Sequence, residues 1–171
     1  GSFYTPREIV KFMSDDALTS YLKKNLSSDI KYEYLEILVK SNDTDKLYKL
    51  KEIKNNADKI DKLLKNIKIC DPSVGTGAFL VEVSNLISTT RKKLDLFLNK
   101  DKNKYYLKLR AIQKSIYGVD IDKTTVEIAK LRLWLSLIID EKNYENINAL
   151  PNLDFKFMVG DSLKQSREPN L

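Results

Sequence analysis

A chain of 171 residues is long enough for one domain with its own hydrophobic core, and a core of that size needs no covalent staples. Its 30 Lys and Arg outnumber 24 Asp and Glu for a net charge of +6, but the lysines are spread through nearly every segment, as on a solvated surface rather than a nucleic-acid patch. The absence of histidine excludes His-based triads and most catalytic zinc centres, the single Cys70 excludes an internal disulfide framework, and no apolar run approaches the ~20 residues of a membrane span.

Phe3-Tyr4-Thr5-Pro6 opens the first helix. Thr5 reads as its N-cap, Pro6 suits the first helical position, and Glu8, three residues after Thr5, completes a capping box. Ile9, Val10, Phe12, Met13, Leu18, Tyr21 and Leu22 form an apolar stripe that carries one or two helices to about Leu26. A second helical stretch covers Tyr32 to Val39. After the turn residues Asn42 to Asp45, a lysine-rich helix runs to Asn66 with Leu47, Leu50, Ile53, Ala57, Ile60, Leu64 and Ile67 near one face. Mixed charges occupy its other face, which describes a packing helix and not a DNA-reading one.

Ile67, Ile69 and Cys70 read as the end of a buried strand, stopped at Asp71-Pro72 because Pro72 has no N–H to give a ladder. Gly75 and Gly77 then allow a tight turn and close backbone approach to a ligand. From Ala78 the apolar residues recur at helical spacing as far as Leu98. A charged loop and a helix from Tyr105 to about Lys114 lead to a second strand, Ser115 to Asp120. The helix that follows Asp120-Ile121-Asp122 is apolar nearly all round in its second half, so it should be buried on most sides, with Trp134 in the core. A polar stretch from Glu141 to Asn152 precedes a third strand, Phe155 to Val159, which ends at Gly160-Asp161-Ser162-Leu163. Lys164 to Leu171 carry no core pattern and read as a cut or mobile end.

Each strand therefore ends on a carboxylate: Asp71, Asp120 and Asp161. Helices separate the strands, so the class is α/β, with a parallel sheet, right-handed crossovers and an N-terminal helical segment. The three acids then share one sheet edge and, with the Gly75-Thr76-Gly77 turn, describe a nucleoside crevice. A P-loop needs Gly-Lys-Ser/Thr where Ala78-Phe79-Leu80 stands, and a dinucleotide fingerprint needs a third glycine where Leu80 stands. An aspartate beside the first turn would repel a pyrophosphate and suit an ammonium or sulfonium. S-adenosyl-L-methionine fits: adenine, ribose, a sulfonium and an amino-acid end, with no phosphate.

Taken together, Phe3-Tyr4-Thr5-Pro6, Asp71-Pro72-Ser73-Val74-Gly75-Thr76-Gly77-Ala78-Phe79-Leu80, Tyr117-Gly118-Val119-Asp120-Ile121-Asp122 and Gly160-Asp161-Ser162-Leu163 resemble the adenine-N6 DNA methyltransferases of restriction–modification systems. The order of the elements is that of the gamma group, and the Ile128 to Trp134 helix is most similar to type IIG enzymes, in which endonuclease and methyltransferase share one polypeptide. The resemblance implies a Rossmann-like S-adenosyl-L-methionine-dependent fold and cytoplasmic, prokaryotic enzymes acting on double-stranded DNA. By position, it implies that Thr5, in the Tyr4-Thr5-Pro6 element, contacts the methionine carboxylate end. Asp71, Ser73, Gly75 and Gly77 would surround the methionine portion. Asp120 would take the ribose hydroxyls with Ile121 on the adenine, and Asp161 and the Ser162 backbone would read the adenine edge.

One element of the family is missing. No Asn/Asp-Pro-Pro-Tyr/Phe run follows the third strand, so no catalytic residue is assigned, and none for a metal. The expectation is a helical segment over residues 1–66 and the first half of a methyltransferase domain over 67–171, the cofactor-binding part of a longer enzyme and inactive alone. An exposed edge on the first strand would then invite self-association. Two rivals stand beside this reading: a non-catalytic binding or scaffold subunit on the same fold, and a nicotinamide-dependent oxidoreductase, against which the missing third glycine counts.

Overall fold

The computed structural model describes residues 5–26, 30–139 and 152–164. Phe3, Tyr4, most of the polar stretch after Glu141, and residues 165–171 lie outside them. The chain opens with α1 (Arg7–Asn25), a single helix. Its N-cap is Pro6, not Thr5: Pro6 is extended at ψ 143°, and its carbonyl accepts from the N–H groups of Ile9 and Val10 at 3.1 Å each. No side chain caps this end, so the capping box expected from Thr5 and Glu8 is not formed. The shift of one residue leaves Thr5 free to line a pocket beside a later helix.

Next come α2 (Tyr32–Lys40), α3 (Thr44–Tyr48) and α4 (Lys51–Asn66). The lysine-rich segment was expected as one helix and is two. Asp43 caps α3 by accepting from the N–H groups of Asp45 and Lys46, and the chain breaks at Lys49–Leu50, where Leu50 leaves helical geometry at ψ 83°. Leu47 and Leu50 are both buried. The break leaves a buried leucine on each side of it. Along α4, Ile53, Ala57, Ile60 and Leu64 are buried while the lysines point outward, as the charge pattern requires.

Among the described residues three parallel strands follow in the order β1-β2-β3: β1 (Ile69–Asp71), β2 (Ile116–Asp120) and β3 (Phe157–Val159). Helices α5 (Ala78–Leu98) and α6 (Lys104–Lys114) connect the first two, and α7 (Lys123–Ile138) follows the second. In register, Asp71 pairs with Gly118 and Gly118 with Phe157, while Cys70 pairs with Tyr117 and Val119 with Met158. The two sets alternate faces, as strand geometry demands. The first set packs on helices; Cys70 and Met158 of the second are exposed.

Two apolar clusters form the core. One gathers α1 to α4 against α5 through Leu22, Leu35, Leu38, Ile60, Leu64, Ile87 and Leu94. The other seats the sheet on α5, α6 and α7 through Leu80, Ile112, Ile116, Ala129, Leu133 and Phe157. In α7, Val126, Ala129, Leu133 and Leu137 are buried, but Ile128, Leu131 and Leu135, with the C-cap Ile139, are exposed on the opposite side. The expected burial all round is therefore corrected, because only one side of α7 meets the sheet; Trp134 is half-buried.

Polar groups lock the helical layer. Arg91 on α5 donates from Nε to Asp61 Oδ1 on α4 at 2.8 Å, and Lys102 bridges Asp61 and Asp95 at 3.2 and 3.0 Å. Burial raises the Asp61 carboxyl, but the hydrogen bond and charge of Arg91, with Lys102, more than offset it and hold it below the usual range. Lys93 donates to the carbonyls of Leu38 and Val39 at 3.0 Å each, closing the end of α2, and burial pulls its ammonium down to about 8.

Candidate functional site

The C-terminal ends of the parallel strands carry the acids. Asp71 is the last residue of β1 and Asp120 the last of β2, and Asp161 stands two residues beyond β3. Adjacent loops are cross-tied: Val74 N–H donates to the Val119 carbonyl and Gly160 N–H to the Asp120 carbonyl, each at 2.8 Å. Ser162 Oγ donates to the Pro72 carbonyl, joining the loop after β3 to the loop after β1. The structure thus brings Asp71, Ser73, Gly75, Gly77, Asp120, Ile121, Asp161 and Ser162 to one sheet edge. Tyr4 lies outside the described residues.

Gly75 and Gly77 turn the chain from β1 into α5 with φ +52° and +81°. Side chains rarely adopt this left-handed region. The two glycines serve different ends. A Cβ on Gly77 would lie 3.1 Å from Ala129 Cβ, so Gly77 lets α7 pack against the start of α5. A Cβ on Gly75 would meet nothing within 4 Å among the described residues, so among them the space above that residue is open.

Asp120 is the hub. Its Oδ2 accepts from Gly75 N–H at 2.8 Å and its Oδ1 from Asp122 N–H at 3.1 Å. An ionised carboxylate offers about four acceptor positions, so roughly two remain, the number a ribose diol needs. Ile121, next in sequence, is 73 % exposed, an apolar side chain standing in solvent beside the hub. Asp122 plays a structural part instead, capping α7 by accepting from Thr124 N–H at 2.9 Å and Thr125 Oγ1 at 2.6 Å. Burial raises the Asp71 carboxyl, the Ser73 N–H bond at 3.0 Å opposes that, and the nearby Asp120 charge adds to it. Asp161 accepts from Leu163 N–H at 3.0 Å, which shapes its own loop. The site is thus a carboxylate-rich edge suited to hydroxyls, amines and cations. Leu80, at the place a third glycine would take in a dinucleotide turn, is fully buried.

Below the glycine turn, a pocket of about 300 Å³ lies where the start of α1 meets the first turn of α5. Thr5 and Ala78 line it, with Arg132 reaching in from α7. Pro6 stands beside it as the N-cap of α1. Sequence reasoning did not single out Arg132. The available signal was a lone guanidinium amid the apolar run Leu131 to Leu135, a position a purely packing helix does not need. Among the described residues no group of three or more His, Cys, Asp or Glu is arranged to hold a metal ion, and no helix is long and apolar enough to cross a membrane.

Comparison with known proteins gives two matches. Residues 47–155 match the family described as "MmeI, DNA-methyltransferase domain". The chain is 35 % identical over 189 aligned positions to "Putative type II restriction enzyme and methyltransferase RM.MjaORFECS2P" of Methanocaldococcus jannaschii. That alignment covers 100 % of this chain and 15 % of the relative, so the chain spans a small part of the length of the protein it matches. No solved structure matches.

Proposed function

The chain belongs to the MmeI DNA-methyltransferase domain family, and from that premise we propose that it binds S-adenosyl-L-methionine as the cofactor-holding part of a restriction–modification methyltransferase acting on adenine N6 in double-stranded DNA. One observation carries the reading: Asp120 ends the middle strand with about two acceptor positions free, tied to the Gly75 backbone at 2.8 Å and flanked by the open space above Gly75 and by exposed Ile121. A nucleoside fits those three features as ribose diol, methionine portion and adenine face. The fold is read as the first strands of a Rossmann-like sheet, whose ligands lie outside the strand ends.

When bound, the cofactor supplies an electrophilic methyl group on its sulfonium. The residues of this chain bind and orient it. Asp120 accepts the ribose hydroxyls; Asp71, partly buried, faces the positive sulfonium and ammonium; Asp161 and the Ser162 backbone read the adenine edge. Placing the cofactor is a positioning task, and its contribution to rate comes from the geometry it imposes on the methyl group. The sequence contains no Asn/Asp-Pro-Pro-Tyr/Phe element to hold an extruded base, so the reading gives this chain cofactor binding and not, by itself, methyl transfer to DNA.

The test is calorimetric titration of the wild-type chain and Asp120→Ala with S-adenosyl-L-methionine. The wild type should bind, and the variant should bind at least about tenfold more weakly, the loss expected for a charge-assisted hydrogen-bond pair. Equal affinities would overturn the assignment of Asp120. Binding of NADH in place of S-adenosyl-L-methionine would favour the oxidoreductase.

A further inference from the structure

The pocket beneath the glycine turn holds two guanidinium groups that the reading above leaves without work. Thr5 and Arg7 from the start of α1, Ala78, Glu82 and Asn85 from α5, and Arg132 from α7 line it. Arg132 donates from one terminal nitrogen to Thr76 Oγ1 at 3.1 Å, and its other N–H groups have no partner among the described residues. Arg7 makes no hydrogen bond or ion pair among them either, and no ion pair joins Glu82 to either arginine among the described residues. An arginine offers five donors in a rigid fork matched to a carboxylate, and two of them line this one pocket with donors to spare.

The helix beside them points the same way. The first intrahelical bond of α5 runs from Val81 N–H to the Gly77 carbonyl, so three N–H groups precede it. No side chain caps this end, and its first turn contains no acidic residue. Its positive end therefore adds to the guanidinium pair. The contrast with the strand edge is sharp. Asp71 and Asp120 present negative charge at the strand ends, and Arg132 and Arg7 present positive charge at the pocket beside the first turns of α5.

We propose that Arg132, assisted by Arg7, receives the carboxylate of the cofactor's amino-acid end, a role that rests on the cofactor reading above. A zwitterionic amino acid attached to a sulfonium is the ligand whose charges alternate as this site does: cations toward Asp71 and Asp120, anion toward the arginines. Thr76 holds the Arg132 fork at the turn and so sets the distance between the two charged halves.

The experiment compares two thioether nucleosides, S-adenosylhomocysteine and 5′-methylthioadenosine, which share adenine, ribose and sulfur and differ in the amino-acid end. Both are titrated into the wild-type chain and into Arg132→Ala, Arg132→Gln and Arg132→Lys. Loss of a charge-assisted contact should weaken S-adenosylhomocysteine by about ten- to a hundredfold in the Ala and Gln variants. Arg132→Lys, which keeps the charge but not the fork, should recover part of it, and 5′-methylthioadenosine should bind all four chains alike. An equal loss for both nucleosides would make Arg132 a support of the turn and overturn the proposal. So would unchanged binding of both, including the case in which the variants lose affinity for duplex DNA alone and the pair belongs to a phosphate backbone. Failure of the wild type to bind either nucleoside would instead overturn the cofactor reading beneath it.

Discussion

At the strand edge, the carboxyl of Asp71 is held in surroundings that disfavour its charge. Burial and the neighbouring Asp120 charge raise its carboxyl above the ordinary value, so the folded chain holds that proton more tightly than the unfolded chain does. By linkage, the stability this group contributes is fully present below the unfolded carboxyl pKa of about 4 and is lost as pH rises through its folded value. At neutral pH the ionised group is a cost. Asp71→Asn keeps an oxygen for the Ser73 N–H and removes the charge. Its melting temperature should exceed that of the wild type at pH 7, and the difference should vanish toward pH 4. The same substitution should weaken S-adenosyl-L-methionine by about tenfold, since a cation loses its facing charge. A variant no more stable than wild type at pH 7 would mean that the open crevice already hydrates the carboxylate.

Among the elements, α4 and α5 are pinned by the Asp61–Arg91 pair as well as by leucines. The Arg91 side chain is 5 % exposed. Removing its partner strands a guanidinium in the core, so Asp61→Ala should cost about 3 kcal/mol, read as a drop in the urea midpoint. Because the Asp61 carboxyl is held below its ordinary range, its stabilising effect is present above the unfolded pKa and lost as pH falls through the folded one. The gap between wild type and variant should therefore close in acid. A gap unchanged in acid would assign the effect to packing alone.

At this scale the sequence was readable in some places and opaque in others. The ends of α5 were legible because Gly77 and Asn99, both with positive φ, punctuate a clean apolar period. The acids at the strand ends were legible because strand, turn and helix each have a different period. The break at Lys49–Leu50 was not, since Leu47, Leu50, Ile53 and Ala57 keep helical spacing straight through it. Nor was the half-exposure of α7, because an apolar residue looks the same on a covered face and a bare one. Arg132 was missed for a related reason: its meaning depends on Thr76, 56 positions away in the chain.

In the whole molecule, the sheet is the least finished part. Parallel sheets are ordinarily covered on both faces, yet Cys70 and Met158 are exposed on one face of this sheet. The outer edge of β1 pairs with no strand among the described residues. An apolar trough of about 310 Å³, lined by Met13, Ala17, Ile69, Pro72 and Phe79, runs along that edge. The chain on its own should therefore associate with itself as concentration rises, and sedimentation velocity should detect it. Cys70→Lys, which charges the bare face, should shift the equilibrium toward monomer. A wild-type chain that stays monomeric at high concentration would show that the edge is already protected.

The position of α5 has one more consequence. It supplies Ile87 and Leu94 to the helical cluster and Leu80 to the sheet cluster. A rod embedded in both leaves neither cluster able to melt by itself, because loosening one strips cover from the helix on which the other rests. The chain is thereby bound to unfold as one cooperative unit, and the strand-end acids inherit the rigidity of the helical layer.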